Sequence, residues 1–359
     1  MIVGLGLLIL GADMLVRGAS RMATAWGISP LIVGLTVVAF GTSSPELAVS
    51  VNAVNAGQAG IAMGNVVGSN IFNVLFILGV SAIIAPLVVS QQLIRLDVPL
   101  MIGASALAWF FGLDQHYSWL EGLVFLTGLI SYIVFLIYQG KRTDSGPEPS
   151  VGMDGPPSSE ETKAPPKFIQ NVALVVLGLG LLVLGSKWLV DGAVWIATLF
   201  GVSEIVIGLT IVAAGTSLPE VVTSIVATIK GERDIAVGNV VGSNLFNILG
   251  VLGLSSLVAP SGIDLTASFA GFDLPIMFVV AFACLPIFFS GGIISRWEGI
   301  VLFAYYVVYV VYLTMASTSH DALPLFSFTL LYFAIPLTLV TLVVIAWRSR
   351  KAKSPLSAT

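Results

Sequence analysis

The sequence contains few charged side chains for its length. Only 9% of its 359 residues are Asp, Glu, Lys or Arg, whereas 57% are apolar and the mean hydropathy is +1.02. Soluble domains carry about 25% charged residues, so this composition excludes an ordinary soluble globular protein. It predicts a membrane protein whose main partner is the lipid bilayer, with no nucleic acid and no obligate protein partner.

Cysteine and histidine are also scarce. Cys284 is the only cysteine and lies in an apolar stretch, which excludes a disulfide within the chain and indicates a small core residue. His116 and His320 fall in predicted short loops, away from the bilayer centre where a proton relay would be needed. Because there is no histidine metal-ligand pair and no nucleophile beside a base, we predict no enzyme and no cofactor.

Long apolar runs dominate the chain. A helix needs roughly 20 apolar residues to cross the hydrocarbon core, and we count eleven such stretches. We therefore predict an all-α polytopic membrane protein. Its first stretch lacks a basic leader and a cleavage site, so we interpret it as a retained helix. The predicted spans are 2–21, 29–55, 61–84, 97–113, 118–138, 168–190, 203–229, 235–258, 270–290, 297–316 and 324–347.

The basic residues predict the orientation. With the N-terminus outside and the C-terminus inside, all of the 15 Lys and Arg residues except Lys187 fall at cytoplasmic ends or loops. The one long polar segment, 141–167, is rich in Pro, Gly and Ser and is typical of a flexible cytoplasmic linker. It separates residues 1–140 from residues 168–317, and residues 318–359 form an extra transmembrane helix with a basic cytoplasmic tail.

The two halves of the chain repeat each other. Residues 29–51 match residues 203–225 at a constant offset of 174, which also aligns the G-N-V-V-G-S-N runs that begin at Gly64 and Gly238. Ten spans thus pair into two repeats of five. Because five is odd, the second repeat is inverted in the membrane, and equivalent residues meet near the midplane about a pseudo-two-fold axis. The span after residue 323 has no counterpart.

Each repeat carries one glutamate in the middle of an apolar span. A carboxylate there costs at least a few kcal/mol, and Glu46 and Glu220 therefore need a reason. A protonated or internally paired glutamate that fixes helix packing is the simpler interpretation, but the repetition of its polar surroundings favours a functional site. Spacing of i, i+3, i+4 and i+7 places four residues on one face of each helix: Ala39, Thr42, Ser43 and Glu46, and Ala213, Thr216, Ser217 and Glu220.

Glycine and proline interrupt both of these spans at the centre. Gly41 precedes Pro45, and Gly215 precedes Pro219, by four residues. Proline cannot donate to the carbonyl four residues before it, so we expect each helix to break and the oxygens of Gly41 and Gly215 to be free for cations. A kink used only for packing is the alternative.

The third and eighth spans repeat a polar cluster. Ser69 and Asn73 lie four residues apart on one helix face, as do Ser243 and Asn247, and these side chains can complete an oxygen cage. Neighbouring residues are predicted to join helices, through amide bonds to the backbone or through small-residue contacts: Asn70, Asn244, Gly64, Gly68, Gly238 and Gly242.

The donor atoms in these clusters are all oxygens. Such a set suits hard ions such as calcium or sodium rather than zinc or copper. Two ionised glutamates carry a charge of about −2, which one calcium ion or about two sodium ions neutralise. Competition for shared ligands is the physical basis of exchange. A passive cation channel is a weaker interpretation, since mid-helix carboxylates suit occluded binding better than fast permeation.

The runs G-T-S-S-P-E at 41–46 and G-T-S-L-P-E at 215–220, with the two G-S-N-x-F-N runs, resemble the repeats of the calcium/cation antiporter superfamily. They look most like its sodium/calcium exchanger branch, of prokaryotic type. The resemblance implies ten helices in two inverted halves, an ion site on the second, third, seventh and eighth spans, and a sliding bundle of the first and sixth. The ligands it implies are the carbonyl oxygens of Ala39 and Ala213 and the side chains of Thr42, Ser43, Glu46, Ser69, Asn73, Thr216, Ser217, Glu220, Ser243 and Asn247.

The same motifs bear on the driving ion. Proton-coupled relatives tend to carry Gly-Asn-x-x-Glu where this chain has Gly-Thr-Ser-x-Pro-Glu, which favours sodium/calcium antiport by alternating access over proton/calcium antiport. Some exchangers have aspartate at the position of Asn73 or Asn247, so potassium coupling and stoichiometry stay open. We expect a multi-pass protein of the plasma or inner membrane.

Overall fold

The computed structural model describes residues 1–143, 168–200, 213–289, 291–318 and 320–335, and nearly all of them are helical. The helices are α1 (Ile2–Trp26), α2 (Pro30–Thr42), α3 (Ser44–Asn55), α4 (Ala59–Ile84), α5 (Leu93–Asp114), α6 (Trp119–Thr143), α7 (Phe168–Leu199), α8 (Ala213–Thr216), α9 (Leu218–Ile229), α10 (Arg233–Val258), α11 (Phe269–Phe289), α12 (Arg296–Ser317) and α13 (Leu323–Thr329, extended by the π-helical turn Leu330–Ala334).

Eight helices in the described ranges are long and apolar enough to cross a bilayer, and α2 with α3 adds a ninth crossing as a pair bent by 43°. The chain is therefore an all-helical, multi-pass membrane protein. Two predicted spans lie only partly within the described residues, since 203–229 begins before residue 213 and 324–347 continues beyond residue 335. Helix α6 continues to Thr143, and residues 144–167 of the predicted linker lie outside the described residues.

Both predicted helix breaks are present, and their backbones match. Ser43 separates α2 from α3 with φ −86° and ψ 7°, and Ser217 separates α8 from α9 with φ −87° and ψ 6°. Pro45 and Pro219 then lie in the first turn of the following helix, where a missing N–H leaves no hydrogen bond unmade. The prolines thus end one helix and begin the next.

The helices α4 and α10 each contain a π-helical turn at the equivalent place. The turns are Asn73–Leu78 and Phe246–Leu252, so each includes one predicted ligand asparagine. A π-helical turn holds one more residue than an α-helical turn and is frequent at functional sites. All of the most apolar stretch of α10 is buried, which places α10 at the centre of the bundle.

Helices α1 and α7 lie antiparallel and in backbone contact. A Cβ atom built on Gly4 would lie 2.8 Å from the carbonyl oxygen of Gly185, and one on Gly11 would lie 2.7 Å from that of Gly178. Gly178 is the repeat equivalent of Gly4 and Gly185 that of Gly11, since each pair differs by 174. Each of the two contacts is therefore the repeat equivalent of the other. Only glycine permits so close an approach.

The predicted contact of Gly238 and Gly242 is present. A Cβ atom on Gly242 would lie 2.7 Å from the carbonyl oxygen of Leu35, which brings α10 tightly against α2. The offset predicts residues 205–209 as the partners of Gly64 and Gly68, and those residues lie outside the described part of the chain. Cys284 is 2% exposed, as expected of a core residue.

Two short antiparallel ribbons join loops from different halves of the chain. One pairs β1 (Leu87–Val88) with β4 (Ile293–Ile294), and the other pairs β2 (His116–Tyr117) with β3 (Ile263–Asp264). In the second ribbon, Nδ1 of His116 lies 2.8 Å from Oδ1 of Asp264. His116 therefore lies in a loop, as predicted, and helps to join the two halves.

Candidate cation-binding site

The two helix breaks bring each glutamate to a serine of the other half. Ser43 donates a hydrogen bond to Oε1 of Glu220 over 2.8 Å, and Ser217 donates to Oε1 of Glu46 over 2.9 Å. The bonds are crossed, because each serine directly precedes the helix that carries the glutamate of its own half but donates to the glutamate of the other half. The predicted meeting of the two faces is therefore present at their most polar residues.

Both carboxylates are fully enclosed. Glu46 is 0% exposed and Glu220 is 1% exposed. Neither forms an ion pair with any Lys, Arg or His in the described ranges. Oε2 of each glutamate has no hydrogen-bond partner, so two buried carboxylate oxygens remain available for a cation.

The predicted residues of α4 and α10 complete the surroundings. The hydroxyl oxygens of Ser69 and Ser217 lie 3.1 Å apart. Buried polar atoms without a partner remain on three further predicted ligands: Oδ1 of Asn73, Oγ of Ser243, and both Oδ1 and Nδ2 of Asn247. Unpartnered buried polar atoms are rare in folded proteins, and their concentration on predicted ligands is the pattern expected of an oxygen cage.

The predicted threonine ligands make a contact that their spacing did not predict. Thr42 donates to Oδ1 of Asn239 over 3.1 Å, and Thr216 donates to Oδ1 of Asn65 over 3.2 Å. Asn65 in turn donates to the backbone oxygen of Glu46 and to Ser50, over 2.9 and 2.8 Å. Sequence reasoning missed both asparagines as site residues, although they lie inside the repeated G-N-V-V-G-S-N runs.

The carbonyl oxygens in the breaks are less free than predicted. The oxygen of Ala39 accepts the N–H of Ser43 over 3.0 Å and the hydroxyl of Thr42 over 3.4 Å. The oxygen of Gly215 accepts the hydroxyl of Ser186 over 2.6 Å, so α7 uses the oxygen that Pro219 was expected to release. Ala213 is the first residue of α8 within the described ranges, and its side chain lies outside them.

Asn70 and Asn244 bond helix backbones, as expected. Asn70 donates to the carbonyl of Val66 over 2.7 Å, and Asn244 donates to that of Asn70 over 3.4 Å. Asn244 also accepts a bond of 3.0 Å from Nδ2 of Asn73. Because the amide nitrogen of Asn73 is used in this bond, its amide oxygen, which has no hydrogen-bond partner, is the atom available to an ion.

A family comparison covers most of the chain. The family model described as "Sodium/calcium exchanger protein" matches residues 1–138 and 170–315. The chain belongs to this family. Exchangers of this family are transporters and not enzymes, so the prediction that the chain has no enzymatic activity is confirmed by its membership.

Individual relatives of this exchanger are similar over most of their length. A putative antiporter, CaxA of Alkalimonas amylolytica, is 42% identical, over 86% of this chain and 95% of CaxA. The sodium/calcium exchanger MaX1 of Methanosarcina acetivorans is 34% identical, over 87% of this chain and 97% of MaX1. The solved structure of the sodium-calcium exchanger NCX_Mj, soaked with Na⁺ and Sr²⁺, is 32% identical with a TM-score of 0.74, covering 86% and 96% of the two chains.

Proposed function

We propose that this cation antiporter exchanges sodium for calcium by alternating access at a midplane site centred on Glu46 and Glu220. One observation carries the proposal: each buried carboxylate accepts one hydroxyl from the other half and keeps its second oxygen unpartnered. The full ligand set we propose is Ala39, Thr42, Ser43, Glu46, Ser69, Asn73, Ala213, Thr216, Ser217, Glu220, Ser243 and Asn247.

The charge of the site explains why transport is coupled. Two ionised carboxylates in a bilayer cost several kcal/mol each unless cations neutralise them. One calcium ion or about two sodium ions neutralise these two negative charges, and both ions prefer oxygen ligands. Because the empty site is too costly to reorient, calcium leaves on one side only when sodium replaces it.

We further propose that residues 1–140 and 168–317 are inverted five-helix repeats, with ten core helices, an eleventh after residue 317, the N-terminus outside and the C-terminus inside. The exchange of the α1 and α7 glycine contacts under the 174-residue offset supports this arrangement. The glycine contacts also make α1 and α7 a unit that can slide across the other helices. The bias of basic residues supports the orientation and a location in the plasma or inner membrane.

Proton/calcium antiport is the second candidate, and one observation favours it. Each glutamate carboxylate accepts from a neutral hydroxyl and has no cationic partner among the described residues, so a proton could also neutralise it. The names of MaX1 and NCX_Mj, both sodium/calcium exchangers, support sodium instead.

Calcium flux into proteoliposomes separates these candidates. We expect an outward sodium gradient at clamped pH to drive calcium uptake, and Glu46→Gln or Glu220→Gln to reduce it roughly 100-fold, equivalent to about 2.7 kcal/mol. Glu121→Gln is the matched control, because Glu121 caps α6 through Ser118 over 2.7 Å, away from the site.

Three results would contradict the proposal in different ways. Uptake at the wild-type rate in either site variant would refute the site. Uptake driven by a pH gradient in sodium-free vesicles, without any response to sodium, would support proton coupling. Calcium flux that needs no counter-ion would support a channel.

A further inference from the structure

Two buried serines beyond the candidate site have hydroxyls without a hydrogen-bond partner. Ser81 is 1% exposed near the end of α4, and Ser255 is 1% exposed near the end of α10. They lie 174 residues apart, which is the repeat offset. The same unsatisfied group therefore occurs once in each half.

An unbonded serine is unusual inside a helix. A helical serine normally donates to the carbonyl four residues before it, as Ser105 does to Met101 and Ser256 does to Leu252, both over 2.9 Å. Leaving a buried hydroxyl unbonded is costly. Ser81 and Ser255 nevertheless have unbonded hydroxyls, whereas Ser256, the immediate neighbour of Ser255, forms the usual bond to the backbone.

The π-helical turns align these serines with the candidate ligands. Ser81 follows Asn73 by eight residues, and Ser255 follows Asn247 by eight. Positions i and i+7 share a face of a regular α-helix, and the extra residue of a π-helical turn moves that relation to i and i+8. Each serine therefore continues the polar face of the site toward one end of its helix.

Among the helices that contact the two segments containing these serines are the two that carry the glutamates. Segment Gly79–Ile84 contacts α9, which begins with Glu220 in its first turn, and segment Gly253–Val258 contacts α3, which begins with Glu46. On α9, Thr223 follows Glu220 by one turn, is 0% exposed, and has an unpartnered hydroxyl. Unbonded oxygens thus extend from the site in two directions.

We propose that Ser81 and Thr223 line the access path on one side of the membrane and that Ser255 lines the path on the other. Their hydroxyls replace part of the hydration shell of a calcium or sodium ion as it passes to or from the glutamates. This inference rests on the proposed alternating access. In the present structure all three hydroxyls are closed from solvent, as expected when neither path is open.

Cysteine accessibility tests this assignment. In a Cys284→Ala parent, which has no other cysteine, Ser81→Cys, Thr223→Cys and Ser255→Cys are treated with a membrane-impermeant thiol reagent from either side of oriented vesicles. We expect Ser255→Cys to react at least tenfold faster than Ser256→Cys, its equally buried neighbour. We expect Ser81→Cys and Thr223→Cys to react from the opposite side, and calcium to change the rates.

The outcomes are decisive for the inference. Equal rates for Ser255→Cys and Ser256→Cys, or reaction of Ser81→Cys and Ser255→Cys from the same side, would overturn it. Calcium exchange by the Cys284→Ala parent is measured in the same vesicles. If the parent exchanges normally while the labelling fails, only the paths are wrong; if it carries no coupled exchange, the proposed function fails instead.

Discussion

Ser43 and Ser217 each perform two tasks at one position. Their backbones adopt the bridge conformation that ends a helix, and their hydroxyls donate to Glu220 and Glu46. A residue placed at the break has its side chain free of the helical ladder, so it can reach across to the other half. The geometry of the break thus determines which group each carboxylate meets.

We predict that Ser43→Ala and Ser217→Ala weaken calcium binding by about 10- to 100-fold, because a hydrogen bond to a charged group contributes roughly 1.5–3 kcal/mol. The calcium concentration for half-maximal exchange is the measurement. Ser44→Ala is the control, since Ser44 is adjacent but donates to the carbonyl of Phe40. An equal effect of Ser43→Ala and Ser44→Ala would contradict the role of the crossed bonds.

A second prediction concerns Asn65 and Thr216. We expect Asn65→Ala and Thr216→Val each to weaken calcium affinity, and the double variant to lose about 1 kcal/mol less than the sum of the two single losses. The reason is that both variants remove the same 3.2 Å bond between the halves. Asn65→Ala with Thr127→Val, whose hydroxyl bonds its own helix, should be additive. Additivity in the first pair would mean that the bond between Asn65 and Thr216 contributes nothing to calcium affinity.

Sequence reasoning at this scale selects residues that are conspicuous by themselves. Glu46 and Glu220 stand out because a carboxylate in an apolar span is costly. Asn65 and Asn239 do not stand out in this way, because the residues that donate hydrogen bonds to them, Thr216 and Thr42, are 151 and 197 residues away in the sequence. A distant partner leaves no local signal beyond the repetition of the run itself.

The contact between α1 and α7 sets requirements on single helix positions. Gly11 and Gly178 leave no room for a Cβ atom, since each would lie 2.7 Å from a carbonyl oxygen of the other helix. Gly6 and Gly180 lie on the same two helices, but their Cβ atoms would meet nothing within 4 Å. The two pairs therefore separate a packing glycine from one that is only small.

We predict that Gly11→Ala or Gly178→Ala lowers stability by about 1–3 kcal/mol, the usual cost of overpacking, whereas Gly6→Ala and Gly180→Ala leave it unchanged or raise it. Thermal unfolding of the detergent-solubilised protein checks this. If all four variants unfolded at the same temperature, α1 and α7 would not be held together by these contacts.

The helix breaks could be predicted from the sequence, whereas the π-helical turns could not. The breaks in the second and seventh spans followed from Gly41, Pro45 and their repeats, because proline and glycine act on the local backbone. The π-helical turns at Asn73 and Asn247 were not foreseen, since no residue type specifies an extra residue in a turn. They depend on how α4 and α10 pack at the centre of the bundle.

At the scale of the whole molecule, the two ribbons allow a direct test of orientation. In the Cys284→Ala parent, we expect Ser261→Cys, beside β3, to react with an impermeant thiol reagent on intact cells. Gln91→Cys, after β1, should react only once the cells are permeabilised. Both residues are exposed, so a difference in their labelling rates reports the side of the membrane and not a difference in burial. The reverse pattern would place the N-terminus inside.

The crossed serine bonds have a consequence for how such a chain arose. On the inverted arrangement proposed above, a chain of half this length would leave its own glutamate without a hydroxyl donor and without the second carboxylate. It could hold a cation only by associating with another copy that lies the opposite way up in the bilayer. On that arrangement, the crossed bonds favour an origin from two oppositely oriented copies, each of which supplies the hydroxyl that the other lacks.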